Sequence, residues 1–202
     1  MRRGAHAMTI RTSILGALAA CAALSGCISF GPDAPDQLLT LTPNATIPAG
    51  ASADGSAESA LAVQTPAVSQ RLNVTRVPVM TSDSSLAYLQ DAVWVEKPAE
   101  LFRDLLSDTI RAKGNRMVIG GGELDYVAQT QLSGELVDMG YDAVTGSVVV
   151  RYDAILRLEG GRIITRRFEA SVPGIAPEAV PVGAALNEAA NSVADQVAEW
   201  VG

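Results

Sequence analysis

Apolar and polar positions change their period several times along this 202-residue chain. From Pro98 onward, Leu101, Phe102, Leu105, Leu106 and Ile110 recur at helical spacing, with Arg103, Asp104, Asp108 and Arg111 mostly off that stripe. Pro98 suits a first helical turn, and Gly114 fits the position after the last. Three long segments then alternate with period two: Tyr126–Leu136, Ser147–Glu159 and Arg162–Val172. In each, the even positions carry the large apolar residues, with Val148, Val150, Tyr152, Leu156 and Phe168 among them. Alternation over such lengths predicts one buried and one wet face, hence an antiparallel meander. Gly140 and Gly146 flank its first turn, and Gly160-Gly161 makes the second. A last helix, from Glu178 or Val182 to Val201, places Val182, Leu186, Ala189, Val193, Val197 and Trp200 on one side.

Upstream the elements are shorter. Residues 38–41 (LLTL) predict a first strand stopped by Pro43, and 61–63 open the next ordered part. Residues 43–60 are rich in Ala, Ser, Gly and Pro, with almost no large apolar side chain, and predict a disordered loop. Leu72–Met80 alternates like a strand, with Pro78 arguing for an edge or a strand end. Ser85–Val95 predicts a β-hairpin, and Arg116–Ile119 a short strand before Gly120-Gly121-Gly122. The order strands, helix, strands, helix predicts one α+β domain over 38–202. It has a mostly antiparallel sheet and two amphipathic helices packed on one face.

The N-terminus has a different pattern. Arg2, Arg3 and Arg11 precede an apolar run from Ile14 to Leu24, and no acid occurs before Asp33. That run is shorter than the roughly 20 residues a membrane span needs and fits the apolar core of a signal peptide. Met8 opens a signal of ordinary length by itself. Leu24-Ser25-Gly26-Cys27 resembles the bacterial lipobox. The resemblance implies cleavage after residue 26, a diacylglycerol on the Cys27 thiol and an acyl chain such as palmitate on its new amine. Residues 27–37 are then the lipidated Cys and a tether. Two or more chains hold a protein stably, at about 0.8 kcal/mol per buried methylene. Ile28 stands where Asp, in the common sorting logic, retains such proteins in the inner membrane, so the expected location is the periplasmic face of the outer membrane.

Charge and chemistry narrow the function. Loss of residues 1–26 leaves 12 basic residues against 22 acids, a net charge of −10, which argues against nucleic acid. It also removes His6 and Cys21, so the mature chain has no His and a single, blocked Cys. A Ser-His-Asp or Cys-His site and a zinc site lack their residues. Lys97 and Lys113 stand in no Ser-x-x-Lys context, and the Gly triplet lacks the Gly-Lys-Ser/Thr of a phosphate loop. The acids are scattered, so no catalytic residue, metal or cofactor is expected. Trp94 reads either as a Trp packing the first helix on the sheet or as a rim aromatic meeting a partner. Arg166 breaks the even apolar set: it pairs inward with a carboxylate, or a bulge shifts the register. With Arg167 it forms a candidate partner-contact patch.

The ordered part resembles the ABC-type transport auxiliary lipoprotein family, in particular its PqiC-like group. The marks are the lipobox, LLTLTP, the LAV strand at 61–63, and the run from Leu86 and Tyr88 through Trp94 and Pro98 to the helix ending at Ile110. The Ala/Ser-rich stretch at 43–60 departs from the pattern. The resemblance implies a non-enzymatic accessory of an Mce-type ABC system, which moves phospholipids or other hydrophobic molecules between inner and outer membranes. Its implied partners are an Mce/MlaD-type substrate-binding protein, the permease/ATPase complex and outer-membrane lipid through Cys27. The alternative is an assembly lipoprotein of the outer membrane, serving lipopolysaccharide or barrel-protein insertion.

Overall fold

A computed structural model of the chain describes residues 37–56, 58–113, 117–120 and 127–202. The signal segment, Cys27 and the tether before Gln37 lie outside the described residues, as do Gly114, Gly121, Gly122, Asp125 and Tyr126. The strands are β1 (Leu61–Val63), β2 (Ala67–Val68), β3 (Arg76–Ser82), β4 (Ser85–Val93), β5 (Val118–Ile119), β6 (Thr130–Asp142), β7 (Ser147–Arg157) and β8 (Ile163–Pro173). The helices are α1 (Pro98–Lys113) and α2 (Ala179–Val201).

The three longest strands form the expected meander, with β6–β7 and β7–β8 antiparallel. The other edge of β6 is shared end to end by β1, β2 and β3, all parallel to it. β4 closes one side as the antiparallel partner of β3, and β5 runs parallel to β1. The architecture is therefore the expected α+β fold, mostly antiparallel, with a parallel row of short strands that alternation along the chain does not reveal. The hairpin at Ser85–Val95 is corrected: β4 is one strand, and its hairpin partner is β3, joined through Asp83-Ser84. Pro78 is likewise not on an edge. Its missing N–H falls where β3 only begins to pair with β6, at Val79–Tyr141.

Burial follows the alternation, with one switch. In β6, Leu132 and Leu136 are buried at even positions, but Met139 and Tyr141 at odd ones. The β6–β7 register slips between Leu136 and Asp138, so one extra residue exchanges the faces. The strand then continues through Gly140 to Asp142 rather than turning there. The turn rests on the Asp142 carboxylate, which accepts hydrogen bonds from the Val144 and Thr145 amides and the Thr145 hydroxyl.

Both helices cover the face of Tyr152 and Phe168, which are direct cross-strand partners. Phe102 of α1 meets Tyr152 edge-on at 5.3 Å, and Trp200 of α2 meets Phe168 at 5.5 Å. The whole stripe Leu101, Phe102, Leu105, Leu106 and Ile110 is buried, each side chain contributing roughly 1.5–3 kcal/mol. An ion pair from Lys113 to Asp195, 2.7 Å, joins the helices at their rim.

Candidate functional site: an N-terminal strap and an uncovered sheet face

Two features survive once the core is accounted for. The first is the segment from Leu38 to Asn44, near the start of the described residues. It forms no strand of its own. Leu39 bridges Trp94 on the free side of β4, donating its N–H to the Val93 carbonyl (2.7 Å) and accepting from Val95 (2.8 Å). The chain then runs along α2. The Thr42 amide donates to Asn187 Oδ1 and the Asn44 amide to Asn191 Oδ1, both at 2.8 Å. Asn191 Nδ2 returns bonds to the carbonyls of Thr42 and Asn187, both at 2.9 Å.

The spacing explains the fit. Two extended residues advance about 6.6 Å and four helical residues about 6 Å, so Thr42 and Asn44 match Asn187 and Asn191. One further turn back, Gly183 leaves room for Leu39, whose Cδ2 lies 2.5 Å from where a glycine Cβ would stand. Asn191 is only 2% exposed, so its amide must be satisfied, and the strap does this. Sequence reading missed the clamp. Its signal is two amides and a glycine at i, i+4 and i+8 in a helix otherwise rich in Ala and Val.

Trp94 lies beside this strap, bridged by Leu39. It is 1% exposed, and its indole N–H has no hydrogen-bond partner among the described residues. Of the two readings of Trp94, the structure has the ring packed in the core and not on an exposed rim.

The second feature is the sheet face turned away from the helices. Its side chains form charged rows across the strands. In one row, Asp138, Arg151 and Glu169 are successive cross-strand partners, with Arg151 Nε donating to Glu169 at 2.5 Å. Arg71 reaches Asp138 at 3.5 Å and donates to the Val137 carbonyl at 2.8 Å. In the next row, Glu135, Asp153 and Arg167 align, and Arg167 grips Asp153 with two bonds of 2.6 Å. Gly134 permits this row, since a Cβ there would collide with the Asp153 carbonyl.

The electrostatics follow the geometry. Arg167 holds the Asp153 carboxyl below its ordinary value, and Arg151 does the same for Glu169, each chiefly by hydrogen bonding. Asp138 is pushed up instead, because burial outweighs the attraction of Arg71 and Arg151. A cleft of about 310 Å³ opens beside it, lined by Arg71, Met80, Asp138, Asp142, Val144 and Arg151. A shallower depression of about 640 Å³ lies over Gly134, Glu135, Asp153, Ile155, Thr165 and Arg167.

Arg167 thus joins this open face, and Arg166 lines the same depression, although its side chain turns to the Phe168 ring. The β7–β8 register runs without a slip, so neighbouring residues point to opposite sides. Arg166 sits opposite Ala154 at the exposed rim of the helical face and covers the Phe168 ring at 5.0 Å. Neither a bulge nor an inward carboxylate is needed, because the ring itself receives the charge. Among the described residues no cluster of His, Cys, Asp or Glu could hold a metal ion, and no helix is long and apolar enough to cross a membrane. The arrangement can recognise charged and hydrogen-bonding surfaces.

The comparisons with known proteins agree on the fold. A solved protein from Xanthomonas campestris superposes with a TM-score of 0.67 at 16% identity, covering 82% of this chain and 94% of that one. A second, uncharacterized protein superposes at 0.62 with 15% identity, covering 82% and 100%. No match was found among curated proteins. The model for the ABC-type transport auxiliary lipoprotein component matches residues 39–198, from the strap bridge almost to the end of α2. On that match the chain belongs to the ABC-type transport auxiliary lipoprotein family, whose members are accessory components of ABC transport systems and not a known enzyme family.

Proposed function

We propose that this protein is the outer-membrane accessory of an Mce-type ABC system, anchored through Cys27 and facing the periplasm. The system moves phospholipid or other hydrophobic molecules between inner and outer membranes. The observation that carries the reading is the family match over residues 39–198, which spans the folded domain from its strap onward. The charged rows support a docking role. Each cleft sets arginines against carboxylates among apolar residues, Arg71 and Arg151 with Asp138 and Asp142 in one, Arg166 and Arg167 with Glu135 and Asp153 in the other, and such charges can pair with a polar protein surface. Cargo handling then belongs to the substrate-binding protein, with Arg167, Asp153, Arg151 and Glu169 as the docking groups.

The test is chemical crosslinking in intact cells, followed by purification of the lipidated protein and mass spectrometry of what it carries. An Mce-type protein or its permease/ATPase partners are expected. Recovery of barrel-assembly or lipopolysaccharide-insertion subunits alone overturns the reading in favour of an assembly lipoprotein.

A further inference from the structure

The two edges of the sheet present different surfaces, and the β4 edge lies where the described chain begins. The bridge between Leu39 and Trp94 turns both of those side chains toward the core. Their neighbours Leu38, Val93 and Val95 therefore point to the opposite side of β4, the side that carries no helix. Leu38 is 54% exposed and Val95 51%. Further along β4, Leu86 and Tyr88 pair with Met80 and Pro78 and share that side, with Leu86 also exposed. Arg76, opposite Val93, stacks its guanidinium over the Tyr88 ring at 4.7 Å. The strip thus combines aliphatic side chains, a tyrosine and an arginine. That combination suits the boundary between headgroups and acyl chains, where amphipathic rings and long cations settle.

The anchor decides the occupant. Ten residues, 28–37, separate Cys27 from Leu38, and a fully extended chain of ten spans at most about 33–36 Å. The strap fixes where that span starts, because Leu39, Thr42 and Asn44 are bonded to β4 and α2. We infer that the outward side of the β4 edge, with Leu38, Val93, Val95, Tyr88 and Arg76, rests on the phospholipid headgroup layer. The inference rests on Cys27 acylation. It leaves the β8 edge, four strand spacings or about 19 Å away, turned toward the periplasm. So few apolar side chains would not hold the protein on a bilayer alone. They orient a domain that the lipid already retains.

The mature chain has no cysteine besides Cys27, so one introduced thiol can be labelled selectively in the lipidated protein. Val95→Cys, Leu38→Cys and Ile163→Cys all replace apolar residues exposed by half or more, leaving the core intact. Each is labelled with bimane and reconstituted in phosphatidylethanolamine/phosphatidylglycerol vesicles whose acyl chains carry bromine. Vesicle flotation is scored first, and quenching of the floated protein second. Insertion to the headgroup boundary should quench the labels at 38 and 95 at least about twofold more than the label at 163. Flotation with equal quenching, or with stronger quenching at 163, overturns the orientation while leaving the anchor standing. Failure of the labelled lipoproteins to float overturns the anchored reading and the orientation with it.

Discussion

The two faces of the sheet differ in what they demand of the sequence. On the covered face, Tyr152, Phe168, Leu132, Leu136 and Val150 are essentially without solvent and belong to the one core cluster shared with α1 and α2. On the open face the same strands carry Arg151, Asp153, Arg167 and Glu169, whose ion pairs are partly exposed. The first face holds the fold together. The second is free to be spent on recognition, because exposed ion pairs contribute little to stability.

The largest effect should come from the covered face. Phe102→Ala removes the ring that meets Tyr152 and should cost about 3–5 kcal/mol in chemical denaturation. A loss below about 1 kcal/mol would mean that α1 is not seated as described. Gly134→Ala sharpens the comparison at the seam of the two strands. Its φ of +148°, the facing Asp153 carbonyl and the Tyr152 ring leave no room for a Cβ, so a loss on the order of 3 kcal/mol is expected from one methyl group wedged between β6 and β7. Asn191→Ala comes next. It strands the Asn44 amide and the Thr42 carbonyl, at about 1–3 kcal/mol, and hydrogen exchange should accelerate at Asn44 more than in β7. Uniform acceleration would show that Asn191 supports the core and not the strap.

Acid should act mainly through the open face. Asp153, Glu169 and Asp142 have lowered values in the fold, so the stability they give is present above their ordinary values of 3.8 and 4.5. It is lost as pH falls below them. Asp138 works the opposite way: its raised value means the folded state takes up its proton first, which offsets part of the loss. Asp138→Asn should therefore start the acid decline in melting temperature at higher pH. An unchanged profile would show that Asp138 is no more buried than its neighbours. The smallest stability effect belongs to Arg167→Ala, under about 1 kcal/mol, combined with weaker crosslinking to the transporter. Loss of stability with unchanged crosslinking would move docking elsewhere.

Much of this was legible along the chain, and the reason is periodicity. The stripe on α1 and the even positions of β7 each report one local geometry and are buried as expected, while in β8 only Phe168 is fully buried and Ile164, Ala170 and Val172 are partly so. The strap was not legible, because Leu39, Thr42 and Asn44 depend on Asn187 and Asn191, about 145 residues away, and no local pattern encodes such a contact. Trp94 could not be assigned to rim or core for the same reason: its burial depends on segments distant in sequence, with Leu39 and Thr75 bonded beside it. Arg166 broke the alternation without breaking the strand, since the helical layer ends near it and the Phe168 ring accepts its charge.

By itself the sequence determined the helices, the meander, the absence of His beyond His6 and the lipobox-like pattern, all of them readable along the chain. Only the tertiary structure decided which short strands line the parallel edge of β6, where the β6 bulge exchanges faces, and how the N-terminal segment is clamped to α2. The physical reason is separation. Side-chain period is a local consequence of backbone geometry. Register, bulges and long-range amide clamps are settled only when distant segments compete for the same buried hydrogen-bonding groups.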